Sequence, residues 1–237
     1  MSEAFARAKA LKERSKARTA SVDRRKQKTG TKDYSESIIF LNEAIDLLLR
    51  ELRRVEGLGA NDGDADDITP TELASELADC YGMLGGVYRR AEDLDKSLES
   101  YDAGSGYEKS EKYGVENSYN MTNAIVVRIL RDPQSLQSLR DKIKEAIRLV
   151  ENQVEGKRKG QWWAWSDLGE LRLLSGSLDD ARTAYQGFQE KGARARDFES
   201  TISVLSELEE KVRGLYPQVA EGFADTILSL KQNKPLN

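Results

Sequence analysis

The chain has 237 residues, 38% apolar and 33% charged with 7% aromatic, and a formal net charge of −4. It contains no histidine, which removes Ser-His-Asp and Cys-His catalysis, the commonest general base and every histidine-containing zinc site. The lone Cys80 cannot form an intramolecular disulfide, and no apolar run approaches the roughly 18 residues of a membrane span, so a cytoplasmic, cofactor-free protein is the expectation.

Charge is distributed unevenly. Residues 1–28 carry ten Lys/Arg against Glu3, Glu13 and Asp23, a net +7 that leaves −11 for the remainder. Phe5, Leu11 and Val22 are the only large apolar residues there, at spacings that make no continuous helical stripe. The composition predicts a basic arm over 1–30, flexible or ordered by a partner, with a solvated helical extension as the other reading, followed by one helical domain over 31–237. Docking onto an acidic protein surface is the natural use of such an arm. With Phe5 its only ring, base stacking is unsupported, and affinity for nucleic acid would be nonspecific and salt-sensitive.

From Asp33 to Val55, Ile38, Leu41, Ile45, Leu48, Leu52 and Val55 recur at three- and four-residue steps, predicting a helix with a buried face. Ile39, Phe40, Leu47 and Leu49 widen that face, so the helix contacts neighbours on two sides. The acidic stretch 57–67 reads as a flexible loop. Its Asp62, Asp64 and Asp66 match the first EF-hand ligands, but Asp67 and Leu73 stand where the motif needs Gly and Glu, so no metal site is expected. Thr69, Pro70 and Glu72 then spell a capping box at a helix start.

Beyond it, helix pairs are predicted over 70–91 with 93–110, 113–131 with 134–155, 160–175 with 177–191, and 194–214 with 216–232. Two pairs repeat one phrase. Tyr81, Leu84, Gly85, Ser97 and Tyr101 recur as Trp165, Leu168, Gly169, Ala181 and Tyr185. This spacing resembles the tetratricopeptide (TPR) repeat, whose small residues let two antiparallel helices approach closely. Tyr119, Asn120, Met121, Thr122 and Asn123 align as a third, degenerate unit at longer offsets. The resemblance implies an all-α, right-handed TPR-like solenoid of about four helix pairs, plus an N-terminal helix and the basic arm. Such a scaffold binds ligands on its concave face instead of catalysing.

If Gly85, Asn123 and Gly169 are equivalent, Asp79, Arg89, Arg90, Asn117, Asn120, Arg128, Trp163 and Glu170 fall along the inner faces of first helices. That set would suit an anionic or planar ligand; the other reading is a solvated or internally paired face. Trp165 reads as packing between helices, whereas at least one of Trp162 and Trp163 must point outward as an interface candidate.

The wording from Tyr81 to Arg90, with Leu94–Leu98, Tyr101–Gly104, Asn117–Asn120 and Ile129–Pro133, is similar to the divergent TPR-sensor domains of bacterial conflict systems. More distantly it resembles the TRAF-binding region of apoptosis-signal-regulating kinases. That resemblance implies an adaptor or regulatory subunit binding an effector such as a caspase-like protease or a TIR protein, or a sensor of a nucleotide-like small molecule.

Overall fold

Helix α1 (Glu3–Thr29) is where structure and composition part company. The computed structural model describes residues 2–29, 33–57 and 68–235, with the side chains of 25–29 outside the description. Phe5, Ala8, Leu11, Ser15, Thr19 and Val22 of α1 are all buried. They recur at three- and four-residue steps, so the stripe is continuous once small and hydroxylated residues are counted with the large apolar ones. The expected flexible arm is therefore a packed helix, and the division at residue 30 is replaced by another. The chain forms two compact units, Met1–Met121 and Thr122–Asn237.

In the first unit α1 lies antiparallel against α2 (Ser35–Gly57). Ser15 Oγ donates to the Ser37 carbonyl at 3.0 Å and Ser37 Oγ returns the bond to the Ser15 carbonyl at 3.4 Å, both side chains buried. Around this small-residue crossing, Arg7 meets Glu43, Arg18 meets Glu36, and the Tyr34 hydroxyl donates to Asp23 at 2.6 Å. The basic arm thus docks on acidic residues of its own chain. Helix α2 packs on α1 and on α3 (Pro70–Arg90), as its wide apolar arc predicts. Phe5, Leu11, Leu41, Leu48, Leu73 and Leu77 share one core there.

Helix α3 begins at the predicted capping box: Glu72 N–H donates to Thr69 Oγ1 at 3.1 Å and Thr69 N–H donates to Glu72 at 2.9 Å. It pairs with α4 (Leu94–Lys109) through the TPR-like phrase. A Cβ on Gly85 would stand 2.9 Å from the Tyr101 ring, and Ser97 Oγ donates to the Gly85 carbonyl at 2.9 Å. Helix α5 (Tyr119–Arg131) starts six residues later than predicted, because Ser110–Gly114 forms a turn with Gly114 at φ 60.

In the second unit α6 (Ser135–Ser138), a single turn, precedes α7 (Arg140–Glu155) and accounts for the long offset to the next repeat. Helices α8 (Trp162–Ser175) and α9 (Leu178–Glu190) repeat the phrase: a Cβ on Gly169 would stand 2.6 Å from the Tyr185 ring, and one on Gly187 2.3 Å from Trp165. Gly176, at φ 83, ends α8 in the left-handed conformation that glycine adopts without strain. Helices α10 (Ala195–Val212) and α11 (Pro217–Gln232) form the last pair. The described residues are all-α. The expected arm and N-terminal helix are themselves one more hairpin, added to the predicted pairs. The acidic 58–67 stretch with its EF-hand-like aspartates lies outside the described residues.

Candidate functional site: a groove between the first helices

Helices α1 and α3 are first helices of successive hairpins, and the groove of about 480 Å³ between them is lined by Lys12, Lys16, Thr19 and Asp23 on one side and Asp79, Met83, Val87 and Arg90 on the other. Tyr119, the first residue of α5, stands at its edge. Its ring occupies the space over Gly82, where a Cβ would come within 3.0 Å. The two helices run parallel, since Lys12 meets Glu76 and Asp79 at one end and Asp23 meets Arg90 at the other.

At the first end Lys12 Nζ lies 2.5 Å from Glu76 and 3.5 Å from Asp79. Burial pulls the Lys12 pKa down, but the Glu76 hydrogen bond and the charges of Glu76 and Asp79 outweigh it, so Lys12 is held above its ordinary value. At the other end Asp23 accepts from Tyr34, whose hydroxyl is pushed up to about 12 by burial and by that bond. Arg90 Nε approaches Asp23 only to 3.9 Å, and it is buried without a hydrogen-bond partner. The Thr19 hydroxyl between the two ends is buried and equally unpartnered. Two donors closed off from water and left unmatched are costly.

The residues expected on one concave face are distributed over the two units. In the first, Asp79 and Arg90 line the groove, and Arg89 sits half-buried beside Arg90 in the last turn of α3, where cations favour the helix dipole. Asn120 is not available to a ligand. It is fully buried, its amide donates to the Ala78 carbonyl and to Glu108 at 2.9 Å each, and a Cβ on Gly104 would touch it at 2.5 Å. Glu108 in turn accepts from the N–H groups of Asn120 and Met121, capping α5. Asn117 Oδ1 accepts from the N–H groups of Ser118 and Tyr119, a local turn bond.

In the second unit Arg128 donates to the Ala124 carbonyl on its own helix. Glu170 is buried beside Tyr185, whose hydroxyl is pushed well above its ordinary pKa by burial and then by the Glu170 and Asp167 carboxylates. Trp163 points outward, 40% exposed, while Trp162 is half-buried and packs edge-on against Trp163 and Phe188. Trp165 donates from Nε1 to the Lys159 carbonyl and packs on Gly187, as its helix-packing reading requires.

Lys12, Lys16, Thr19 and Asp23 were missed from sequence because α1 read as an arm. The small-residue stripe through Ala8, Ser15 and Thr19 was the signal that places them. Among the described residues no cluster of three or more carboxylate or thiol ligands could hold a metal, and no helix is long and apolar enough to cross a membrane. Cys80 is buried and its thiol is pushed up to about 12, chiefly by that burial.

No protein-family model matches the chain, and no curated protein matches it. Among solved structures it is similar to the TPR2AB-domain:pHSP90-complex of yeast Sti1. That match has 12% identity and covers 98% of this chain and 96% of that one, with a TM-score of 0.20. The TPR-like character therefore rests on the glycine–aromatic packing of α3–α4 and α8–α9, not on that superposition.

Proposed function

We propose that this protein is a non-enzymatic helical-repeat adaptor or regulatory subunit that captures a partner protein in the α1–α3 groove. The observation that carries this reading is the cleft between first helices itself, with the half-exposed Asp79 carboxylate at one end and the half-exposed Arg90 guanidinium at the other. Apolar Ala20, Met83 and Val87 beside them supply contact area. The lack of histidine in the chain supports a binding role over acid–base catalysis. Trp163 is a second contact point, by its exposure.

The resemblance to TPR sensors of bacterial conflict systems makes a caspase-like protease or a TIR protein the first effector to try as partner. The rival, a nucleotide-like ligand on Arg89, Arg90, Asn117, Asn120 and Arg128, is weakened because Asn120 and Asn117 are committed to internal hydrogen bonds. Nucleic-acid binding through α1 is weakened because Arg7, Lys12 and Arg18 pair with the chain's own acids.

The test is affinity capture of the full chain from its source, comparing the natural protein with Arg90→Glu and Trp163→Ala. A partner lost with Arg90→Glu supports the reading. A nucleotide that raises stability by about 2.7 kcal/mol at a hundredfold its dissociation constant, with no captured protein, overturns it in favour of a sensor.

A further inference from the structure

The two ends of the groove differ in charge, and the difference prescribes what would lie in it. At one end three carboxylates, Glu13, Glu76 and Asp79, stand against two ammonium groups, Lys12 and Lys16. Lys12 is 15% exposed and shared between Glu76 and Asp79, whereas the Asp79 and Glu13 side chains are 50% and 66% exposed. A cation arriving there meets excess negative charge. At the other end the Asp23 carboxylate is engaged by Tyr34 and lies 3.9 Å from Arg90, so this end carries one charge of each sign and lacks the first end's excess of carboxylates. The Arg90 side chain is 39% exposed, so an acceptor arriving there meets its guanidinium. Between them lie Ala20, Met83 and Val87, with the Thr19 hydroxyl as a single polar point.

Size narrows the occupant further. From Lys12 to Asp23 on α1, and from Asp79 to Arg90 on α3, the groove runs about 16 Å at 1.5 Å of rise per residue. An extended chain, at about 3.3 Å per residue, covers the same span in five steps.

We infer that the groove binds an extended protein segment of about six residues, basic at the Asp79 end, apolar in the middle and acidic at the Arg90 end. This rests on the adaptor reading above and adds the chemistry of the segment to it. The order of side chains along the groove is what the site selects, so a chain running either way satisfies it if the two charges stand five residues apart.

Fluorescence anisotropy with four labelled six-residue peptides, blocked at both termini, tests this on the full chain. One carries Lys and Glu at its ends around an apolar centre, two carry like charges at both ends, and one carries the charges adjacent at the centre with apolar ends. The Lys/Glu peptide should bind about tenfold more tightly than the Glu/Glu peptide. Against the Lys/Lys peptide the factor should be as large or larger, because the Arg90 end is the more desolvated. Asp79→Lys should invert the preference toward the Glu/Glu peptide, and since the peptide series runs on the natural protein, a variant that fails to fold does not decide the matter. Equal binding of like-charge or centre-charged peptides overturns the inference. If no peptide binds yet Arg90→Glu still abolishes partner capture, the inference fails and the adaptor reading stands. If partner capture survives Arg90→Glu as well, the groove is not the docking site and both fail.

Discussion

The α1–α2 and α8–α9 hairpins solve the same problem by different chemistry. In α8–α9 the helices approach because Gly169 and Gly187 leave room for the Tyr185 and Trp165 rings. That contact is made of residues with a recognisable spacing. In α1–α2 the crossing is a reciprocal Ser15–Ser37 bond flanked by Arg7–Glu43 and Arg18–Glu36 pairs. No large–small spacing announces it. A helix with few large apolar residues still packs when its small and hydroxylated residues fall on one face and its charges are complementary to the partner helix.

Removing residues 1–29 is the strongest way to break the comparison. The truncated chain should lose much of the stability of the first unit, because Phe5, Leu11 and Val22 are buried and contribute roughly 1.5–3 kcal/mol each. Circular dichroism melting would then show an early transition. A truncated protein that melts like the full chain would mean α1 is an appendage after all.

The glycine contact can be tested by sign. Gly169→Ala should cost about 1–3 kcal/mol despite alanine's better helix propensity, because its Cβ would stand 2.6 Å from the buried Tyr185 ring. Gly106→Ala, in α4 with nothing within 4 Å of the new Cβ, should stabilise by about 0.5–1 kcal/mol. Equal effects in chemical denaturation would refute the close-approach account.

Asn120→Ala should cost about 1–3 kcal/mol, since it strips the Ala78 carbonyl and Glu108 of a buried donor. A variant of unchanged stability that loses partner capture would return Asn120 to the ligand site.

The smallest effect concerns the α3 cap. Thr69→Ala should cost about 1 kcal/mol. The backbone bond from Thr69, then its hydroxyl, holds Glu72 below its ordinary pKa. Its contribution is therefore present above the ordinary carboxylate range and disappears as pH falls through the lowered value. Stability of Glu72→Gln measured between neutral pH and pH 3 should fall less steeply than that of the natural protein; an identical slope would remove Glu72 from the pH response.

Much of the architecture was local enough to read from sequence. The capping box at Thr69–Glu72, the stop at Gly176 and the Gly85–Tyr101 and Gly169–Tyr185 pairs each depend on residues within sixteen positions of one another, inside one helix or one hairpin. Helix α1 was legible only in its small-residue stripe; its counter-charges Glu43, Glu36, Glu76 and Asp79 are remote in sequence and meet it only after the hairpins stack. The candidate site followed the same division. Helical periodicity places Asp79 and Arg90 on the face of α3 that lines the groove, whereas Asn120 is buried, because periodicity gives a direction and not what lies there. Only the close approach of Gly104 and the Ala78 carbonyl made that direction interior, and only the docking of α1 turned one face of α3 into a groove.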